Sequence, residues 1–519
     1  ELNTSFLNRK QLDLYASVYM ADGFYVTEDV ASITADYLIR HIDASFKLFE
    51  YSWVKELPFE IFLEYVLPYR LEYERLNLWR DSLGVLKQST EAQEAIDEYK
   101  YDASRVSLKL DAESDVSYQN SVQLFERDVR NDCHYMYLSE VFCDRIKGIP
   151  SVLDFFPYYS NRNGSHYWHN IVSTYRNSSL IPGSSGYISG KVYRRTYSHN
   201  LLLSPGKDEY IPSLFRDPFN KDVTDVYFQT RDIIVDAKIK LPSNLHYGYL
   251  CVFNTLAWRP IAIGCKDNDA IKFENMGKNT LYLPVVFRER AMIAVNYPFA
   301  LKQNGDVHYY IPDTLHKQQI RLYRKYPYTK RIEFSKLFSG SLIEGSNNAD
   351  FSEKDTLAFL DLEYGGYYID RKIEMMTPYQ YLRILIADRH DIAELYFWDE
   401  ANELVNPVLP LSLKEGFDRN PLTSFRDDTT SLIFDFGKPI NFSRLVCLQR
   451  NDGNGIYLGE TYELFYYGLN GWESLGRKKA TDFFVEFDVP YNALFWLHNV
   501  SGGIEDRIFT VEDGKVRFW

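Results

Sequence analysis

The chain's 519 residues are 45% hydrophobic, 25% charged and 16% aromatic, with 42 Tyr, 34 Phe and 8 Trp, and they carry a formal net charge of -14. That length calls for about two to four cores, and the acidic balance excludes a nucleic-acid partner, which needs a clustered basic surface. Cysteines at 133, 143, 251, 265 and 447 are odd in number, which excludes a closed disulfide framework, and no run of about 18 apolar residues marks a transmembrane segment.

The chain opens at Glu1, which fits a removed signal peptide or lipid anchor and a periplasmic, cell-surface or secreted location. From Asn8 to Phe49 the apolar residues recur at helical intervals and predict two helices. Pro58 to Arg70 reads as another helix, with Pro58 in the first turn and Pro68 at its end. The polar segment from Ser89 to Asp115 is expected to form exposed helices.

A stretch with the layout of a thiol site follows. Cys133 precedes Met136, Leu138, Val141, Phe142 and Ile146 at helical spacing, and Gly148 and Pro150 end the run. Ser151 to Phe156 reads as a buried strand, after which come His166, Trp168 and His169. A thiol at a helix start has its thiolate stabilised by the helix dipole, and a nearby imidazole serves as its base. His166 and His169 are three apart on a strand and face opposite sides, so only one reaches the thiol. Cys143, inside the helix, reads as a structural thiol, and His169 as a packing or solvent-facing residue. From Phe155 through Lys207 there is no Asp or Glu. A neutral orienter such as Asn177 is the alternative to an acid. Two histidines at this spacing with no nearby carboxylate do not make a zinc site, and no cofactor is called for.

Lys191 to Tyr197 alternates and reads as a strand. Prolines at 205, 212 and 218 suggest a boundary, so the first domain is set at 1–205. Short apolar runs from Ile233 to Tyr323, with an Asn304-Gly305 hairpin signal, predict a β-sandwich over 206–345. Cys251 and Cys265 flank a hairpin there, and single thiols are the simpler reading than a pair. Residues 346–519 form a further all-β unit, with Asp452-Gly453-Asn454-Gly455 as a turn that also offers oxygens to calcium or a sugar.

Cys133, fifteen residues before the Gly148 of Gly148-Ile149-Pro150, together with Asp154, Pro157 and His166-x-Trp168, resembles the transglutaminase-like cysteine-hydrolase superfamily in its Bacteroidetes form. Leu67-Pro68-Tyr69-Arg70, Glu74, Trp79-Arg80 and Lys191-Val-Tyr-Arg194 carry the resemblance further, over roughly residues 1–220. Phe417-Asp418 through Phe425, Phe434 to Pro439 and Arg450 to Gly455 resemble a discoidin-like (coagulation factor 5/8 type C) jelly roll.

With the central β-sandwich read from the strand pattern, the resemblances imply a multidomain α+β protein: a transglutaminase-like (papain-like) α+β domain with Cys133 as nucleophile and His166 as base, and a C-terminal jelly roll. The superfamily's acid after the histidine is missing here, and either Asn177 stands in as a neutral orienter or a residue from another segment fills the role. Trp168 at the cleft, and Asp418, Arg450, Asn451, Asp452 and Asn454 on the C-terminal loops, are the implied ligand contacts. The implied activity is thiol-dependent hydrolysis or acyl transfer at an amide of peptide or glycopeptide material, with a glycan held by the C-terminal module. The rival is a catalytically inactive relative that binds carbohydrate or protein.

Overall fold

The computed structural model describes residues 33–71, 80, 133–172, 186, 188–327, 338–361, 368–374, 377–388, 390–408, 410–426, 429–503 and 505–519. The first of the two helices expected before Phe49 and the expected helices of 89–115 lie outside these residues. What is described is mostly β, in several sheets, with the longer helices gathered before residue 150.

Helix α1 (Ala35–Phe46) is capped by Thr34, whose hydroxyl accepts from the Tyr37 amide at 3.2 Å. Helix α2 (Phe59–Tyr65) has Pro58 as N-cap, where the missing N–H has no intrahelical partner to lose. Leu48, Trp53, Val54, Phe62 and Val66 form the core of this layer. Helix α3 (Cys133–Ile146) ends in a Schellman turn. Ile149 N–H donates to the Asp144 carbonyl at 2.9 Å and Gly148 N–H to that of Arg145 at 3.2 Å. Gly148 has φ 75°, and a Cβ there would meet Val54 Cγ2 at 2.4 Å, so only glycine both makes the turn and admits the helical layer. Trp53 Nε1 and Arg80 Nη1 donate to the carbonyls of Lys147 and Arg145, at 3.0 and 2.8 Å, and lock that layer onto the end of α3.

The chain then forms β1 (Ser151–Phe156), β2 (His166–Ile171), β3 (Tyr193–Arg195) and β4 (Asn220–Asp222), an antiparallel sheet in the order β2-β1-β3-β4. All six residues of β1 are buried, which its apolar run anticipates. β4 lies beyond residue 205, so the first sheet takes its last strand from past the expected boundary, and its Asn220–Asp222 pairs with Tyr193–Arg195.

The central eight-stranded sheet runs from Thr230–Asp236 at one edge to Val307–Tyr309 at the other. Tyr247–Asn254 and Thr280–Arg288 are buried on both faces. One face carries a core of Ile233, Leu250, Val252, Ile271 and Phe273. The other packs Phe253, Leu283 and Phe287 against Phe465, Trp496 and Trp519, from a five-stranded sheet built of Thr461–Gly468, Gly471–Lys479, Leu494–Asn499, Ile508–Glu512 and Lys515–Phe518.

The C-terminal 346–519 stretch thus divides between two cores. Its first part, together with strand Ser341–Ser346 from before that boundary, builds two four-stranded sheets around Ile343, Leu382, Leu395, Phe434 and Leu445. Its second part returns to the central sheet. Strand Asp313–Leu322 pairs with Val485–Tyr491 across that division.

Candidate active site

α3 runs alongside β2, the edge strand of its sheet. Tyr137, one turn after Cys133, sets its ring 6.2 Å from that of His166 in an edge-to-face contact. Further along, Glu140 and Asp144 meet His169: Asp144 Oδ2 is 2.6 Å from Nε2 and Glu140 Oε2 is 3.3 Å from Nδ1. Positions 133, 137, 140 and 144 fall on one helical face, so helix and strand march together, with the Cys133 end toward His166.

His166 opens β2. Its ring stacks on Tyr159 at 6.1 Å and on Trp168 at 5.9 Å. Burial, and then the nearby Arg162 guanidinium, hold its imidazole below the usual histidine range, so the neutral form that can accept a proton is favoured. His169 is the opposite case. It does not face solvent: its side chain is 11% exposed between two carboxylates. Burial pulls it down, but Asp144 and Glu140 outweigh that and push it up to about 10. An imidazolium of that kind pins a helix to a strand and is no base. The sequence signal for it was the Glu140/Asp144 pair, four apart on the face that begins at Cys133.

Trp168 is 1% exposed, an interior residue and not a cleft wall. Its Nε1–H donates to Tyr227 Oη at 3.1 Å, and Asn170 Nδ2 donates to the same oxygen at 2.9 Å. Tyr227 in turn donates to Asp154, and Arg194 grips that carboxylate with two bonds of 2.8 Å. The Asp154 of the sequence pattern is therefore a fully buried structural hub under β1 and β2. Asn177 lies outside the described residues, and Cys133 is located as the first residue of α3.

The expected C-terminal ligand contacts part company. Asp418 is exposed and closes its own turn, accepting from the Asn420 amide at 2.9 Å and the Thr423 hydroxyl at 2.9 Å. The Arg450 side chain is 64% exposed and 3.6 Å from Asp391. Asn451 spends its side chain within the loop, donating to the carbonyls of Pro421 and Gln449 and accepting from Gly453 N–H and Tyr457 Oη–H. Asp452 pairs with Arg324 at 2.7 Å and Asn454 is 0% exposed, so both are interior turn residues. Among the described residues no group of three or more His, Cys, Asp or Glu is placed to hold a metal ion, and Cys251, Cys265 and Cys447 are free thiols. No helix there is long and apolar enough to cross a membrane.

No family model matches the chain, and no curated protein or solved structure matches it at a significant level.

Proposed function

We propose that the chain is a thiol-dependent amide hydrolase or acyl transferase of transglutaminase-like type, with Cys133 as nucleophile and His166 as base. The observation that carries this reading is the Tyr137–His166 contact. Position 133 is one turn earlier on the same helical face, at the end of α3 that meets a histidine kept neutral by its surroundings.

In this mechanism His166 takes the thiol proton, and the thiolate attacks the amide carbonyl. The tetrahedral adduct collapses to a thioester as His166 returns the proton to the leaving amine. Water, or a second amine, then attacks the thioester and regenerates the thiol. The substrate is peptide or glycopeptide material. A glycan- or surface-binding role for the discoidin-like part, as a jelly roll, would rest on Asp418 and Arg450 at its surface, and a cell-surface or secreted location fits this work.

The test is the rate of Cys133 alkylation by iodoacetamide from pH 5 to 10. A thiol pKa well below about 8.5, lost in His166→Ala, supports the reading. An ordinary free-thiol profile sinks it. A second reading, a binding protein without catalysis, is favoured by one fact: the two carboxylates that α3 brings to β2 hold His169 and not His166.

A further inference from the structure

The loop between β1 and β2, which delivers His166, is held from outside its own domain. Asn254 stands at the end of Tyr247–Asn254 in the central sheet and is 0% exposed. Its Nδ2 donates to the carbonyls of Tyr159, Arg162 and Gly164 at 3.0, 2.9 and 2.9 Å, and its Oδ1 accepts from the Gly164 amide at 3.0 Å. Two hydrogens shared among three carbonyls spend the whole donor capacity of the amide on one loop. The adjacent turn residues Thr255 and Leu256 have φ 47° and 62° without being glycine, a conformation kept only where surroundings enforce it. That turn aims Thr255 N–H at Asn163 Oδ1, 2.9 Å away.

Segments just outside the strands, after Asp313–Leu322 and before Ile508–Glu512, grip the same loop. Asn163 Nδ2 donates to Glu505 Oε1 at 3.2 Å, its backbone N–H donates to Tyr326 Oη at 3.1 Å, and Arg507 donates to the Ser160 carbonyl. Among the described residues, groups facing His166 include Tyr137 from α3, Phe156 and Trp168 from the sheet, and Tyr159 from the loop, which also carries the nearby Arg162. Tyr159 and Arg162 are two of the residues whose carbonyls Asn254 holds.

We propose that Asn254 and Asn163 are positioning residues for His166: the central hairpin and the segments that carry Tyr326, Glu505 and Arg507 fix the 159–164 loop, and through it the stacking and charge environment of the imidazole. That His166 acts on a thiol rests on the proposed function; that the clamp sets its environment does not.

The full chain is compared with Asn254→Asp, which keeps the acceptor and size but removes the donor, and with Asn163→Ala, a milder change in the loop itself. Two quantities are read: the His166 titration midpoint by NMR, and the pH profile of Cys133 alkylation by iodoacetamide. Loosening the loop is expected to move the midpoint up toward about 6.5 and to slow alkylation at neutral pH roughly tenfold or more. Wild-type midpoints in both variants overturn the clamp. Should Asn254→Asp fail to fold, Asn163→Ala alone decides. A wild-type Cys133 that alkylates as a free thiol removes the proposed chemistry, while the midpoint still judges the clamp.

Discussion

Nε2 of His169 lies 2.6 Å from Oδ2 of Asp144, across the seam between α3 and β2. With Glu140 at the other ring nitrogen, the imidazole is held near pKa 10 against the pull of burial. Its folded value is above its unfolded one, about 6.5. The stabilisation is therefore complete below about pH 6.5 and fades as pH rises through about 10. Urea unfolding between pH 6 and 10.5 is expected to show that decline. His169→Gln should flatten it and cost about 3–5 kcal/mol at pH 7, because two buried carboxylates lose their partner.

Asp154 and Arg194 form a second buried pair, with Tyr227, Trp168 and Asn170 satisfying what remains. Arg194→Met alone is expected to cost about 3–5 kcal/mol, whereas Asp154→Leu with Arg194→Met should recover most of it. A double-mutant cycle by chemical denaturation measures the coupling. Tyr227→Phe, which takes the acceptor from Trp168 Nε1–H and leaves the Asn170 amide only Asp154, should cost about 1–3 kcal/mol.

Beside the C-terminal sheet Asp506 accepts from Lys325 at 2.9 Å and from His498 at 2.8 Å, all three nearly or fully buried. Burial would raise its carboxyl, but Lys325 and His498 outweigh that and hold it at about 2. The folded value is depressed, so the stabilisation is present above about pH 3.9 and is lost as pH falls through 2. Asp506→Asn is expected to lose this acid-side dependence in unfolding followed by Trp496 fluorescence from pH 2 to 5.

Glu394 is the reverse case. It is 0% exposed, with the Asp418 carboxylate and the Asn420 backbone beside its carboxyl. Burial first, and then Asp418, push it up to about 8. The protonated form favours the fold, fully below about pH 4.3 and no longer above about 8. Glu394→Gln should therefore raise the melting temperature at pH 8.5 and leave it nearly unchanged at pH 4.

Much of the site region is legible in the residues. Helical spacing after Cys133, glycine at 148 and the mostly apolar stretch from Ser151 to Phe156 correspond to α3, its Schellman turn and β1. One face of α3 meets both His166 and His169, through Tyr137 and through Glu140 and Asp144, which the two-residue strand period alone does not announce. What local pattern could not carry was long-range pairing. β4 joins the first sheet across a stretch of loop and short helix from 196 to 219, and strands from Thr461 onwards pack on Phe253 and Phe287, some 200 residues away. Ala270–Gly277 and Gly471–Lys479 escaped notice because they are polar on one face or on both. Asp452 and Asn454 looked like free turn oxygens because nothing in their neighbourhood announces Arg324, the ion-pair partner of Asp452.

The pairing of Asp313–Leu322 with Val485–Tyr491, together with the Arg324–Gly455 bridge, brings the outgoing and returning chain side by side where the double four-stranded unit branches off. That unit is thus a module plugged into a host by two neighbouring wires. It could be exchanged for another of similar spacing without rethreading the host, provided its replacement covers Tyr323, Tyr457 and Phe483, the aromatic residues that the unit shields at its root.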